Sequence, residues 1–336
     1  MDLNNQSVLV TGGTGSFGQK FVELVLRKYK PKRLIVFSRD ELKQQEMRTL
    51  FPDSPNSPMR YFIGDVRDRE RLERAFYEVD IVIHAAALKQ VPACEYNPFE
   101  AIQTNIIGAK NVIDAAIDQR VKKVVAISTD KAVNPVNLYG ASKLCAEKLF
   151  VQGNAYAGAT GTRFSCCRYG NVVGSRGSVV PLFLEQRKTG TVTITDRRMT
   201  RFWITLEQGT EFVLQCLFRM CGGEIFVPKI PSMKMTDVAA SLAPDCQLQE
   251  TGIRSGEKLH ELLLSEDEAR HSVEVENTYI IVPQQPWWGE PTWNGARPLT
   301  TGFSYGSNTN SEWLTPQQFS KLVNAKIETP AVHAGD

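Results

Sequence analysis

The sequence predicts an α/β fold, with a doubly wound parallel sheet followed by a smaller C-terminal lobe. In the first half, short β-branched runs alternate with longer helical patterns. The runs are apolar at consecutive positions, which is typical of strands covered on both faces. After about residue 170 the alternation ends, and Gly and Pro separate shorter elements. The length of 336 residues exceeds that of one ordinary domain, which also favours a second lobe.

Six strands and seven helices are predicted from these patterns. The strands cover residues 7–11, 33–37, 60–63, 80–84, 123–128 and 164–168. The helices lie near 16–29, 40–50, 68–77, 97–119, 139–157, 205–220 and 235–242. Strand–helix alternation implies right-handed crossovers in a parallel sheet. We expect residues 1–170 to form the sheet domain and residues 171–330 to form mainly the lobe, with later segments returning to the sheet.

The composition argues against several classes of protein. Lys and Arg total 39 against 37 Asp and Glu, so the net charge of +2 offers no electrostatic basis for binding nucleic acid or a membrane surface. No stretch approaches the roughly 18 apolar residues of a membrane span, and the first residues lack a secretory signal. Seven cysteines without a CxxC pair and four scattered histidines predict a cytoplasmic protein with reduced thiols and no metal site.

A glycine triplet directly follows the first strand, in the run TGGTGSFG at 11–18. Gly12 permits a tight turn, Gly15 permits close approach of a pyrophosphate, and Gly18 permits close packing of helix and strand. The helix that follows presents free N–H groups to an anion. The pattern therefore predicts a Rossmann-type dinucleotide site. From this loop we assign to the cofactor Gly12, Thr14, Gly15, Ser16, Phe17 and Gly18.

The tip of the second strand predicts which dinucleotide binds. Ser38 and Arg39 come before Asp40, and an arginine accommodates a 2′-phosphate where an acidic residue would take a 2′-hydroxyl. We therefore predict NADP rather than NAD, with Lys43 one turn further on within reach of the same phosphate. The ends of the third and fourth strands supply further predicted cofactor contacts, namely Asp65, Val66, Ala85 and Ala86.

Tyr139 and Lys143 predict an acid–base pair on one helix face. They are four residues apart at the start of a helix, after the end of a buried strand. A free tyrosine has a pKa of about 10, and a neighbouring cation together with an oxidised nicotinamide favours the phenolate. Such a phenolate can take a proton from a hydroxyl as hydride leaves the same carbon. Thr129, near the end of the preceding strand, can hydrogen-bond that hydroxyl.

These motifs together resemble the extended short-chain dehydrogenase/reductases. Among these, the sequence is most similar to the inverting UDP-N-acetylglucosamine 4,6-dehydratases of pseudaminic acid biosynthesis. The resemblance covers nearly the whole chain, although Ser255 stands where the family commonly has Pro. It is carried by TGGTGSFG (11–18), FSRDELKQ (37–44), GDVRD (64–68), HAAALKQVPACEYNP (84–98), STDKAVNPVNLYGASK (128–143), RYGNVVGSRGSVVP (168–181), ITDRRMTRFWIT (194–205), GGEIFVPKIPSMKMTD (222–237) and RSGEKLHE (254–261).

The resemblance implies conversion of UDP-N-acetylglucosamine to UDP-2-acetamido-2,6-dideoxy-beta-L-arabino-hexos-4-ulose. Tyr139 and NADP would oxidise carbon 4, Lys131 would remove the proton at carbon 5, and Asp130 would help to expel water. Hydride would return to carbon 6 with no net redox change, and carbon 5 would be inverted. Relatives that retain carbon 5 usually carry Asp-Glu where this chain has Asp130-Lys131. A lysine base must be neutral, and we expect desolvation and nearby cations such as Lys143 to favour that form.

The resemblance also implies where the nucleotide sugar binds. Arg254 and Glu257 match residues that hold the nucleotide end, and Lys89 matches a residue near the sugar. Lys131 has an alternative role as a clamp for the substrate phosphates. Further implied substrate contacts are Asn171, Val179, Thr195 and Arg201. Relatives form multimers, so a homo-oligomer is expected by analogy.

Three alternative functions stay open at this stage. A UDP-hexose 4-epimerase would share the fold, the cofactor, Tyr139 and Lys143, but would have no need of Asp130-Lys131. A dehydratase that retains carbon 5 is the second alternative, although its larger relatives carry membrane spans and many have Met in place of Tyr139. A non-enzymatic NADP-binding regulator is the third, and it would be expected to lose the Tyr–Lys pair.

Overall fold

The computed structural model describes residues 2–175, 177–285 and 293–328. The strands in chain order are β1 (Ser7–Thr11), β2 (Arg33–Ser38), β3 (Met59–Ile63), β4 (Ile81–His84), β5 (Lys123–Ile127), β6 (Arg163–Cys167), β7 (Asn171–Val172), β8 (Thr191–Ile194), β9 (Thr200–Ile204), β10 (Ile225–Pro228), β11 (Ser232–Lys234), β12 (Gln247–Glu250), β13 (Leu262–Leu264), β14 (Ser272–Val275), β15 (Thr278–Ile281), β16 (Arg297–Pro298) and β17 (Tyr305–Gly306).

The helices in chain order are α1 (Ser16–Lys28), α2 (Glu41–Leu50), α3 (Arg69–Phe76), α4 (Val91–Tyr96), α5 (Pro98–Ile102), α6 (Gly108–Asp118), α7 (Leu138–Ala157), α8 (Val179–Arg187), α9 (Leu206–Arg219), α10 (Met235–Leu242), α11 (Glu266–Ala269) and α12 (Pro316–Glu328). A π-helical turn, Gln103–Ile107, joins α5 to α6. Two short 3₁₀ turns lie at Asp130–Ala132 and Gly158–Thr160.

A ten-stranded sheet forms the centre of the molecule, in the order β16-β14-β15-β10-β6-β5-β4-β1-β2-β3. The seven strands from β10 to β3 are parallel to one another. Strand order reverses between β1 and β4, which opens a crevice at the carboxyl ends of these strands. The predicted Rossmann-type, doubly wound parallel sheet is therefore confirmed.

The apolar runs of the sequence become strands that are buried on both faces. Val8 and Val10 of β1 pack into one core cluster, whereas Leu9 between them packs into the cluster on the opposite face. Successive side chains of a strand point to opposite faces, so a strand between two helical layers must be apolar at every position. All five residues of β1 are buried.

A second, smaller core lies in the C-terminal part of the chain. Trp203 and Phe319 meet edge to face there, with ring centroids 4.9 Å apart, and both side chains are fully buried. Helices α8, α10 and α12 pack around this core with strands β8 and β9. The proposed division into residues 1–170 and 171–330 stays a prediction, and part of its second segment (286–292 and 329–330) lies outside the described residues.

Some of the structure differs from what the sequence patterns predicted. Strands β14, β15 and β16 extend the sheet with antiparallel pairs, so its edge is mixed rather than parallel. Predicted helix 97–119 is divided by the π-helical turn, which inserts one extra residue into the helical repeat. Within the described ranges, no helix combines the length and the apolar character that a membrane crossing requires.

Candidate active site

A cavity of about 750 Å³ opens at the carboxyl ends of the parallel strands. Loops that follow β1 to β6 supply its walls, because the carboxyl ends of parallel strands meet at one edge of the sheet. The predicted catalytic residues, and all the predicted cofactor residues except Gly18, line this cavity, although they are spread over more than 130 positions of the sequence from Gly12 to Lys143. Sheet topology thus assembles a single site from several separate motifs.

The glycine loop after β1 is shaped by close backbone contacts. Gly12 has a φ of +65°, and a Cβ there would lie 2.9 Å from the backbone of Ala86. A Cβ at Gly18 would lie 2.3 Å from the carbonyl oxygen of Gly13. Gly15 is the N-cap residue of α1 and provides no side-chain hydrogen bond. The first backbone N–H groups of α1 are therefore available to an anion in the cavity. The loop therefore offers an anion site that side chains would obstruct.

The end of β2 brings a hydroxyl and a cation to the same wall. The hydroxyls of Thr14 and Ser38 are hydrogen-bonded at 2.8 Å. Arg39 is over half exposed, and its guanidinium lies 3.5 Å from the carboxylate of Asp65. Hydrogen bonds from Arg67 hold the pKa of Asp65 below its usual range, against the opposing effect of burial. This wall therefore has a carboxylate that stays ionised and an arginine that can turn toward a second anion.

The carboxylate of Asp40 is hydrogen-bonded to Lys43 of its own helix. Its carboxylate accepts a hydrogen bond from the backbone N–H of Lys43 at 3.0 Å and pairs with the Lys43 ammonium at 2.5 Å. These hydrogen bonds lower the pKa of Asp40. An N-cap aspartate of this kind stabilises the helix start. The acidic group that would take a ribose 2′-hydroxyl is therefore engaged elsewhere.

The loop after β4 is held by Asn105, which lies in the π-helical turn. The Asn105 side chain accepts from the N–H of Leu88 at 2.8 Å and donates to the Leu88 carbonyl at 2.9 Å. It also donates to Ser142 Oγ on α7 at 2.9 Å. The clamp fixes the backbone next to Lys89, whose pKa is lowered by burial. π-Helical turns are frequent at functional sites, and this one ties the β4 loop to α7.

The turn after β5 carries a buried carboxylate and an ammonium. Asp130 is 1% exposed, and its Oδ1 accepts from the Thr129 hydroxyl at 2.8 Å and from Lys131 Nζ at 3.1 Å. The other oxygen, Asp130 Oδ2, is buried and has no hydrogen-bond partner among the described residues. A buried acceptor without a partner is costly, so Oδ2 is available to a ligand hydroxyl.

Tyr139 faces this turn from the start of α7. Burial raises the pKa of Tyr139 to about 12, while Lys131 and a hydrogen bond with Thr129 act in the opposite direction. Lys143 Nζ donates to the carbonyl of Ile127 at 2.7 Å. The cation with the larger influence on the phenol in this structure is thus Lys131. A phenolate is not favoured here by the protein alone, because the effect of burial outweighs that of the cation.

Lys131 is held as an ammonium. Burial lowers its pKa, but Asp130 and Glu261 raise it more, and the net shift is upward. The Lys131 Nζ lies 3.5 Å from Glu261 Oε1. The expectation that surrounding groups favour the neutral amine is therefore wrong for this structure, because two carboxylates outweigh desolvation and the nearby Arg201.

The structure brings most, but not all, of the predicted site residues to the cavity. Those that line it are Gly12, Thr14, Gly15, Ser16, Phe17, Ser38, Arg39, Asp40, Lys43, Asp65, Val66, Ala85, Ala86, Lys89, Thr129, Asp130, Lys131, Tyr139, Lys143 and Asn171. Those that do not line it are Gly18, Val179, Thr195, Arg201, Arg254 and Glu257. The cofactor role of Gly18 and the substrate roles implied for the other five stay predictions.

Arg201 lies behind the cavity wall rather than in it. Its guanidinium donates to the backbone carbonyls of Thr200 at 2.7 Å, Lys258 at 3.0 Å and Leu259 at 3.1 Å. These bonds fasten strand β9 to the segment that precedes β13. Arg201 therefore supports the wall that faces Lys131.

Several residues of the site were not singled out from the sequence. Gln90 and Tyr169 line the cavity just after β4 and β6, and the rule that ligands bind at strand carboxyl ends would have found them. Thr104 lines it from the π-helical turn with a buried hydroxyl that lacks a partner among the described residues. Glu261 stands 130 positions from Lys131, and no spacing in the sequence connects them. Within the described ranges, no group of His, Cys, Asp and Glu could hold a metal ion.

Comparisons with known proteins agree with this geometry. The pattern of the family described as "Polysaccharide biosynthesis protein" matches residues 8–283. A UDP-N-acetylglucosamine 4,6-dehydratase (inverting) from Campylobacter jejuni is 53% identical over 96% of this chain and 98% of its own length. A UDP-glucose 4-epimerase from Rickettsia conorii is 41% identical over 82% of this chain and 83% of its own.

Two solved structures are also similar to this chain. The X-ray structure of Pen from Bacillus thuringiensis is similar with a TM-score of 0.88 and 38% identity, over 97% of this chain and 99% of Pen. A Thermus thermophilus UDP-glucose 4-epimerase in complex with NAD is similar with a TM-score of 0.63 and 26% identity, over 75% of this chain and 88% of that structure.

Proposed function

We propose that this chain, which belongs to the polysaccharide biosynthesis protein family, is an inverting UDP-N-acetylglucosamine 4,6-dehydratase. The full-length identity of 53% to an enzyme of that name is the observation that carries the proposal. The Asp130–Lys131 ion pair inside the cavity supports it, because elimination of water needs an acid and a base close together. The product would be UDP-2-acetamido-2,6-dideoxy-beta-L-arabino-hexos-4-ulose.

The cavity fits a nicotinamide dinucleotide. The glycine cradle at Gly12, the free N-terminus of α1 and the small Ala85 and Ala86 leave space for a pyrophosphate against the backbone. Bound there, the nicotinamide would supply the chemistry of hydride transfer, from carbon 4 of the sugar and back to carbon 6. We propose NADP specifically, since Arg39 lines the cavity with an exposed side chain that can reach a 2′-phosphate and Asp40 is engaged by Lys43.

Tyr139 would take the proton of the carbon-4 hydroxyl. It interacts with Thr129, which can orient that hydroxyl, and with the ammonium of Lys131, which favours the phenolate. The Tyr139 pKa of about 12 must fall before this step. The positively charged ring of an oxidised nicotinamide beside the phenol would lower it. Lys143 would hold the end of strand β5 in place through its bond to the Ile127 carbonyl.

Asp130 and Lys131 would carry out the elimination together. Transfer of one proton from Lys131 Nζ to Asp130, across their 3.1 Å hydrogen bond, leaves a neutral amine and a carboxylic acid. The amine would then take the proton from carbon 5, and the acid would give its proton to the departing carbon-6 hydroxyl, which leaves as water. Charge balances at each stage, and the roles implied by the resemblance are kept.

The nucleotide end of the substrate is assigned only by resemblance. Arg254 and Glu257 lie in a loop whose Gly256 carbonyl accepts from Asn137 Nδ2 at 2.8 Å, at the N-cap of α7. This places the loop beside the entry to the helix that carries Tyr139. We propose that Arg254 and Glu257 contact the nucleotide there, and that the chain forms a homo-oligomer.

A product assay tests the proposed function. Purified protein incubated with UDP-N-acetylglucosamine, without added NADPH, should give a 4-keto-6-deoxy sugar nucleotide that is visible by NMR. A UDP-hexose 4-epimerase is the alternative with support, since a 41% identical relative bears that name. Formation of UDP-N-acetylgalactosamine alone, with loss of no water, would reject the dehydratase and establish the epimerase.

A further inference from the structure

Glu261 is a buried residue whose carboxylate lies next to the Asp130–Ala132 turn. It is 2% exposed, and its Oε1 lies 3.5 Å from Lys131 Nζ and 3.8 Å from Arg201 Nε. Its Oε2 has no hydrogen-bond partner among the described residues, and Lys258 Nζ lies 4.0 Å from it. Glu261 therefore has no short hydrogen bond that would fix it as a simple structural ion pair.

The backbone of Glu261 is fixed on both sides. Its N–H donates to Ser307 Oγ at 3.0 Å, and its carbonyl accepts from the Ser307 N–H at 2.8 Å. Ser307 Oγ is in turn 2.6 Å from Thr200 Oγ1 at the start of β9. The backbone of Glu261 is thus held in place, and its buried side chain brings the carboxylate to within 3.5 Å of Lys131 Nζ.

The charges around Lys131 come from five different parts of the fold. Opposite charge comes from Asp130 on the same turn and from Glu261 before β13. Like charge comes from Arg201 on β9 and from Lys258 on the preceding loop, and Tyr139 on α7 completes the set. Asp130 belongs to the substrate cavity, whereas Glu261 does not line it. Glu261 is therefore the carboxylate that can act on Lys131 throughout a reaction cycle.

We propose that Glu261 is a positioning residue that fixes the Nζ of Lys131 and stabilises its ammonium form, so that Lys131 is a stronger base toward carbon 5. The claim about carbon 5 rests on the proposed function, whereas the control of Lys131 does not. The ammonium formed when Lys131 accepts the carbon-5 proton lies beside a fixed negative charge, which favours that transfer.

Competitive labelling tests the control of Lys131 without any substrate. Trace acetic anhydride at pH 8 reacts only with neutral amines, and peptide mass spectrometry gives the rate at each lysine relative to the exposed Lys188. In Glu261→Gln, the relative rate at Lys131 should rise by about tenfold or more, because each pKa unit changes the neutral fraction by that factor. The same substitution at the exposed Glu266 is the matched control and should leave the rate unchanged. An unchanged Lys131 rate in Glu261→Gln would overturn the proposal.

Two further measurements separate a positioning role from a structural one. Lys89, which lines the same cavity, should keep its labelling rate in Glu261→Gln, and a parallel rise there would mean that the wall had merely opened and would overturn the proposal. The part of the kcat pH profile that reports the protonation of Lys131 should move to lower pH in Glu261→Gln, because a negative charge beside the ammonium is lost. In Glu261→Asp, which keeps the charge, it should return to its wild-type position. A profile that does not move would also contradict the proposal.

The proposal can also be tested if the Glu261→Gln variant fails to fold. If Glu261→Gln does not fold, the double variant with Lys131→Met should recover the fold, since the cations of Lys131, Arg201 and Lys258 would otherwise share the single carboxylate of Asp130. A double variant as unstable as the single one would overturn the pairing. Failure of the wild-type protein to dehydrate UDP-N-acetylglucosamine would reject the proposed function alone, because labelling of Lys131 needs no turnover.

Discussion

Gly140 on α7 packs against the carbonyl oxygen of Lys131, and a Cβ at Gly140 would lie only 2.2 Å from that oxygen. The contact brings the helix that carries Tyr139 onto the turn that carries Asp130 and Lys131. No other residue type permits this approach without a backbone shift, because the obstructing atom belongs to the main chain. The placement of the Tyr139 phenol relative to the Lys131 ammonium therefore depends on the absence of a side chain at residue 140.

Gly140→Ala should move the Lys131 turn away from α7 and lower kcat by about 100-fold, since displacement by about 1 Å can cost that much. Steady-state kinetics of product formation would measure the loss. Gly209→Ala on α9 is the matched control, because a Cβ there meets only Ile204 Cδ1 at 3.9 Å. Equal kcat values for Gly140→Ala and the wild type would mean that the contact does not position the site.

Tyr139→Phe should lower kcat by about 10²- to 10⁴-fold, the usual contribution of general acid–base catalysis. Cofactor affinity should stay the same, because the ring remains and only the hydroxyl is lost. Fluorescence titration with the dinucleotide and an NMR product assay measure the two quantities. Tyr156→Phe, on the exposed face of the same helix, should keep full activity. Full activity in Tyr139→Phe would remove this residue from the proton transfer at carbon 4.

Much of this site could be predicted from the sequence because its motifs are local. A glycine triplet after a strand and a Tyr–Lys pair at the start of a helix each specify backbone geometry within a few residues. Sheet topology then brings the separate motifs together at one edge without further information. The parallel strands were found for the same reason, since strands buried on both faces are apolar throughout.

The remainder depends on contacts that no local pattern encodes. Glu261 lies beside Lys131 because its backbone, just before β13, is hydrogen-bonded to Ser307, more than 40 residues later in the chain. The upward shift in the pKa of Lys131 is not predictable from the sequence, because desolvation can be anticipated from a buried strand end, whereas a distant carboxylate cannot. Strands β14 and β16 are only four and two residues long, so their residue patterns are too short to predict strands at the sheet edge.

Arg39→Ala should weaken the binding of NADP by about 10- to 100-fold and leave the binding of NAD nearly unchanged. A hydrogen bond between charged groups contributes about 1.5–3 kcal/mol, and only NADP has the 2′-phosphate that Arg39 would contact. Titration calorimetry with both dinucleotides checks this. Arg67→Ala is the matched control, since Arg67 pairs with the same Asp65 at 2.8 Å and does not line the cavity. Equal losses for both dinucleotides would contradict the assignment to the 2′-phosphate.

Glu268 should make stability depend on pH in the acid range. Arg168 holds the pKa of Glu268 below its usual range, against the effect of burial, through bonds of 2.7 and 2.9 Å. Because the folded-state pKa is lower than the unfolded one, this stabilisation is complete above about pH 5 and is lost as the pH falls through the folded-state value.

Glu268→Gln should therefore lower the free energy of unfolding by about 2 kcal/mol at pH 7, and by less at pH 3.5. Urea denaturation at the two pH values measures the difference. Glu266→Gln, an exposed change on the same short helix, should have little effect at either pH. A loss of the same size at both pH values would show that the Glu268 charge is not the stabilising feature.

The fate of carbon 5 tests the central claim most directly, namely that Lys131 exchanges the proton there. Wild-type protein incubated with UDP-N-acetylglucosamine in deuterated water should give a 4-keto-6-deoxy product with deuterium at carbon 5 and an L-arabino ring, both read by proton NMR. Lys131→Ala should keep its fold and give no such product. A D-xylo ring as the sole initial product, or full activity in Lys131→Ala, would contradict the assignment of Lys131.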